Sequence, residues 1–284
     1  MKHIMITESF AAQRPSYNRF AKIQAEIEAC HDSHIRIDVN VQNRFGLTFV
    51  FLIGTLPYLA EKYQKTTSIF CNEKSFNLFR KLGFLEKTCL YNKEKDYSTD
   101  LKQGMGLITK DEDIFKTVTE ITREAPVKMS DALSAIFISK AGEMYNNARE
   151  HSEGTVIGAK FFKNQKSMYC FSCYDTGVGI PAKVMSVRKE ISNPENAFRW
   201  AMIRGNSTAS GDVPRGLGLG LLKSFAKANE GTIRICSGNV LYIFGKKHDQ
   251  PGYVETYHVL EHEFHGTLFE MDIIADNDRR YILG

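Results

Sequence analysis

The stretch Tyr174-Asp175-Thr176-Gly177-Val178-Gly179-Ile180-Pro181 decides how this sequence is read. It follows a run of aromatic and small residues, 167–174, that reads as a strand. Glycine permits backbone turns and close ligand approach that a Cβ would block. An ionised Asp only accepts hydrogen bonds, so Asp175 suits an exocyclic amino group such as that of adenine. Guanine offers a carbonyl oxygen at that place and is rejected.

Two further patterns flank it. Upstream lies Gly-Glu-Met-Tyr-Asn-Asn-Ala-Arg-Glu-His-Ser, residues 142–152, at the end of a long amphipathic run. Glu143, Asn147 and His151 recur every fourth residue there, so a helix places them on one stripe. A carboxylate and an amide presented together serve a water nucleophile and a hard cation. Mg²⁺ accepts one protein oxygen and fills its octahedron with water and phosphate. Downstream lies Arg215-Gly216-Leu217-Gly218-Leu219-Gly220, leading into a helix expected at 221–228. Alternating glycines before a helix expose backbone N–H groups, and the helix terminus adds partial positive charge. The Gly-Lys-Ser/Thr ending of a P-loop is missing, and no βαβ unit with a later acidic residue follows.

Glu-x-x-x-Asn on a helix, Asp-x-Gly-x-Gly after a strand and Gly-x-Gly-x-Gly before a helix resemble, in that order, the N, G1 and G2 boxes of one family. These are the ATP-binding domains of gyrase, heat-shock chaperones, histidine kinases and MutL (GHKL). The segment His265-Gly266-Thr267-Leu268-Phe269-Glu270 is similar to that family's final strand, and the resemblance spans residues 110–275. It implies ATP and Mg²⁺ as cofactors. It implies Glu143 as general base, Asn147 as the Mg²⁺ ligand and Asp175 as the adenine-reading carboxylate. Gly177, Gly179 and Ile180 would form the supporting loop, and Thr267 the adenine-side hydroxyl. Arg215, Gly216, Leu217, Gly218, Leu219 and Gly220 would cradle phosphate. Residues 180–215 would be a mobile lid, with Arg204, Arg215 and the 205–208 stretch reaching the γ-phosphate. His151 matches no fixed catalytic role, although a His there looks like the anti-sigma kinase branch, and a capping or packing role is expected for it.

The expected fold class is α/β, in two domains. Residues 105–284 are read as a two-layer α/β sandwich of the Bergerat ATP-binding type with a mixed, mostly antiparallel sheet. Its expected elements are helices at 111–123 and from Ser130 to about 151, strands at 155–162 and 167–174, a helical insertion, a Gly-rich loop and a helix, then strands at 232–236, 240–244 and 267–274. A polar stretch, 91–103, reads as a linker. Residues 1–104 read as a small α/β domain, with strands at 35–41 and 67–71, a helix at 46–63, and a helix capped by Ser75 and ended by Gly83. That order resembles the sulfate transporter and anti-sigma antagonist (STAS) domain, implying a regulatory or docking role. STAS antagonists carry a phosphorylatable hydroxyl after the central strand. Here residues 40–46 hold none, and Thr48 lies beyond the turn.

Bulk properties exclude several classes. The chain has 284 residues, 43% hydrophobic and 25% charged, enough for two buried cores. The net charge of +4 is dispersed, without a basic block for nucleic acid. No secretory leader pattern opens the chain, and the apolar run 45–60, broken by Gly54 and Pro57, is short of a membrane span. Six cysteines lack framework spacing; Cys170 and Cys173 fall on opposite faces of a strand, a poor geometry for one metal. Reduced thiols point to a cytoplasmic protein. The functional expectation is an Mg-ATP-binding regulatory protein with an unidentified protein partner, a homodimer being left open. It is a protein serine/threonine kinase or partner switch of the anti-sigma type; the alternatives are an ATP-hydrolysing switch or a nucleotide-binding scaffold. A sensor histidine kinase is disfavoured, because neither helix upstream of His151 carries a phosphoacceptor His.

Overall fold

The structure is a computed structural model, and it describes residues 1–8, 10–40, 47–73, 75, 106–108, 119, 131, 134–135, 138–139, 142, 156–163, 168–203, 205–206, 208, 218–247 and 249–274. The linker read at 91–103 and the acceptor-site turn at 41–46 lie outside these residues. The chain divides into two compact units, Met1–Gly106 and Leu107–Gly284.

The first unit is a βαβαβ arrangement: β1 (Lys2–Ile6), α1 (Arg14–Glu28), β2 (His34–Val39), α2 (Leu47–Lys62) and β3 (Thr66–Cys71). The three strands pair in parallel in the order β1-β2-β3. Alternation along β1 and β2 buries Ile4, Ile6, Ile35, Ile37 and Val39, while Met5 stays exposed. Pro15 sits in the first turn of α1, where its missing N–H costs nothing. Tyr17, Phe20, Ala21, Gln24 and Ile27 then form the buried stripe. Phe49 of α2 meets Phe10 and Tyr17 with ring centroids 5.0 and 5.1 Å away. The helix after β3 starts earlier than expected: Glu73 and Ser75 are already helical. The cap is Asn72, whose side-chain oxygen accepts the Ser75 N–H at 2.9 Å. Neither β1 nor α1 was expected.

The second unit is built on a five-stranded sheet of order β4-β5-β6-β8-β7: β4 (Gly106–Ile108), β5 (Val156–Lys163), β6 (Met168–Asp175), β7 (Thr232–Lys247) and β8 (Gln250–Ile274). β5 with β6, β6 with β8 and β7 with β8 are antiparallel. Three helices of this unit have described bounds: α3 (Ile180–Val187), α4 (Pro194–Met202) and α5 (Gly218–Ala228). Apolar residues Cys173, Ile233, Ile235, Phe269, Met271 and Ile273 are buried in the sheet, as are Leu222, Phe225 and Ala226 of α5. Arg234 is ion-paired with both Glu270 and Asp272, which keeps the fully buried Glu270 carboxylate partnered. At the expected long helix, the described residues Asp131, Ser134, Ala135, Ile138, Ser139 and Gly142 are helical.

One expectation in this unit is corrected. In place of three short closing strands there are two long ones, β7 and β8, which extend beyond the sheet as a hairpin arm. The helical insertion expected after β6 is present as two helices, α3 and α4, within residues 180–202. Phe198 of α4 is fully buried against Tyr242 and Tyr257 of the arm, and Arg199 lies 3.7 Å over the Tyr257 ring. On α5, Lys223 donates to Glu255 of the arm at 2.8 Å. Among the described residues no helix is long and apolar enough to cross a membrane.

Candidate functional site

The antiparallel registers bring three side chains from distant sequence into one row. Asp175, the last residue of β6, pairs with Thr267 of β8, and Thr267 pairs with Ser237 of β7. Laterally paired residues project from the same face of a sheet. Asp175 is 8% exposed and Ser237 is fully buried. Directly after Asp175 the chain turns through Gly177 and Gly179 into α3. The Asp175 Oδ1 accepts the Gly177 N–H at 2.8 Å, an Asx turn that fixes the carboxylate. Gly179 takes φ +80°, and a Cβ there would lie 2.9 Å from Ser237 Oγ and 3.2 Å from the Gly266 carbonyl oxygen. Only glycine fits both demands.

The row is held from below and behind. Ser237 Oγ accepts the Ile180 N–H at 2.8 Å and lies 3.0 Å from both the Gly266 oxygen and Thr267 Oγ1. Gly238 follows at φ +56°, its Cα edge against the Pro181 ring, where the β7 ladder shifts register. Tyr174, facing the other way, donates its hydroxyl to the His265 carbonyl at 2.9 Å and meets Phe264 edge-on. Cys173 is buried near the Asp175 charge; burial first, then that charge, pushes its thiol well above the ordinary range. It is a packing residue, inert as a nucleophile.

Of the expected site residues, the structure brings Asp175, Gly177, Gly179, Ile180 and Thr267 together. Gly218, Leu219 and Gly220 lie in the first turn of α5, not in a loop before it. Their N–H groups belong to the end of the helix whose donors have no partner within it. Gly220 is exposed, and a Cβ added there meets nothing within 4 Å. Glu143, Asn147, His151, Arg204, Arg215, Gly216 and Leu217 lie outside the described residues. In the 205–208 stretch, Asn206 is turned back, its side-chain amide donating to the Trp200 carbonyl at 2.8 Å. Among the described residues no group of three or more His, Cys, Asp or Glu is placed to hold a metal. Sequence reasoning missed Ser237: a single serine inside a strand carries no pattern, and only its register partner reveals it.

No protein-family model matches the chain, and no curated protein matches it. Among solved structures it is similar to the B-subunit of the DNA gyrase from Myxococcus xanthus, at 14% identity and a TM-score of 0.26. The match covers 59% of this chain and 46% of that one, so the chain spans less than half the gyrase subunit. A likeness this slight assigns no function.

Proposed function

We propose that the unit read as residues 105–284 binds ATP with Mg²⁺, and that the chain acts as a regulatory protein kinase or partner switch of the anti-sigma type. The reading rests chiefly on the Asp175–Thr267–Ser237 row beside the Gly177–Gly179 turn. An anchored carboxylate and a hydroxyl side by side suit the amino edge of adenine. The open space over Gly220, at a helix N-terminus, suits a phosphate that leaves no room for a Cβ. Asp175 accepts from the 6-amino group, Gly177, Gly179 and Ile180 shape the loop, and Thr267 contributes its hydroxyl. Arg215, Gly216, Leu217, Gly218, Leu219 and Gly220 hold the phosphates. Asn147 supplies the protein ligand to Mg²⁺, which when bound neutralises phosphate charge. Glu143 takes the proton from the attacking hydroxyl. Residues 1–104, the STAS-like domain of this reading, dock the partner.

Incubation of the full chain with γ-labelled ATP and host proteins distinguishes the forms of this reading. A kinase yields acid-stable phosphate on a partner serine or threonine, lost in Glu143→Ala. Release of phosphate without transfer, also lost in Glu143→Ala, identifies an ATP-hydrolysing switch. Neither activity in wild type, with ATP still bound, leaves a scaffold and removes Glu143 from its role.

A further inference from the structure

We infer that Ser237 is a positioning residue of the purine pocket: its one hydroxyl ties the glycine loop to β8 and sets which way the Thr267 proton points. The inference rests on the nucleotide reading above and adds a residue and a selectivity mechanism to it.

The argument is a count of protons. A serine hydroxyl has one proton and two lone pairs. The Ile180 N–H, 2.8 Å from Ser237 Oγ, takes one lone pair. The Gly266 carbonyl, 3.0 Å away, only accepts, so the Ser237 proton goes there. Thr267 Oγ1, also 3.0 Å away, then donates to the remaining lone pair. Every partner of the fully buried Ser237 hydroxyl is thereby satisfied. The Thr267 proton is committed inward, and its oxygen presents lone pairs outward, beside the acceptor-only Asp175 carboxylate. Two neighbouring acceptors match an amino group, which carries two protons. A purine with a carbonyl at that place sets lone pair against lone pair. Ser237 therefore contributes to selecting 6-aminopurines without touching them.

The test uses the full chain, titrated with ATP and with ITP, which carries a carbonyl where ATP carries the amino group. Ser237→Ala frees the Thr267 proton to point outward. It should weaken ATP about tenfold and narrow the ATP-over-ITP preference about threefold or more. Ser237→Thr, which restores a hydroxyl, should stay within about twofold of wild type on both counts. Hydrogen exchange at the Ile180 amide supplies a readout independent of ligand: it should quicken about tenfold in Ser237→Ala and not in Ser237→Thr. A folded Ser237→Ala with unchanged ATP-over-ITP preference, or with unchanged Ile180 protection, overturns the inference. Wild type that binds no ATP removes the nucleotide reading and the selectivity role with it, while Ile180 exchange still decides the clamp.

Discussion

Gly266 passes so close to the carbonyl oxygen of Asp175 that a Cβ on it would lie 1.8 Å from that oxygen. The clash is with backbone, at φ +84°, so no rotamer relieves it. This approach seats β8 against the end of β6 and brings Thr267 beside Asp175. Gly266→Ala should destabilise the second unit by about 3 kcal/mol, from strain and overpacking together. Urea unfolding monitored at both units checks it, and an unchanged midpoint contradicts the packing described.

Gly220 behaves in the opposite way. It sits in the first turn of α5 with open space where a Cβ would be. Gly220→Ala should stabilise the helix by about 0.5–1 kcal/mol in urea unfolding. In the same protein ATP should bind more weakly, because the methyl enters the space assigned to phosphate. Gain of stability with undiminished ATP affinity would place the phosphates elsewhere.

In the first unit, Asp38 accepts two hydrogen bonds from the Arg36 guanidinium, at 2.9 and 3.0 Å, and is hydrogen-bonded to His3. Arg36 first, and then His3, hold its carboxyl below the usual carboxylate range. A depressed carboxylate stabilises the folded state above its unfolded pKa, about 3.9. That stability is lost as pH falls through this value toward the folded pKa. Arg36→Met should therefore raise the Asp38 titration midpoint and flatten the unit's acid sensitivity. Carbon NMR of the Asp38 carboxyl follows the first directly; identical midpoints in the two proteins contradict the assignment.

The parts legible in the sequence were those carried by local pattern. β5 and β6 show as apolar and aromatic runs, and the glycine turn after Asp175 shows because few residues tolerate its geometry. α1 carries a stripe at Tyr17, Phe20, Gln24 and Ile27, in which the polar but buried Gln24 interrupts the apolar period. The hairpin arm was hidden for a physical reason. Tyr253, Glu255, Tyr257 and Val259 share one face and Val254, Thr256 and His258 the other, so neither face reads as apolar, and register shifts near Gly238 break the alternation. Gly218 and Gly220 read as loop because alternating glycines before a helix suit a phosphate cradle, yet α5 begins through them. Ser237 lies 30 residues from Thr267 in sequence, and only strand pairing makes them neighbours.

The most direct measurement is calorimetric titration of ATP, with Mg²⁺, into wild type and Asp175→Asn. The Gly177 N–H donates to Asp175 Oδ1, so an asparagine must place its carbonyl there. Its amide nitrogen then faces the ligand, donor against donor. The account predicts ATP binding by wild type in preference to GTP, and a loss of about 100-fold or more in Asp175→Asn. Equal ATP affinity in the two folded proteins would contradict it.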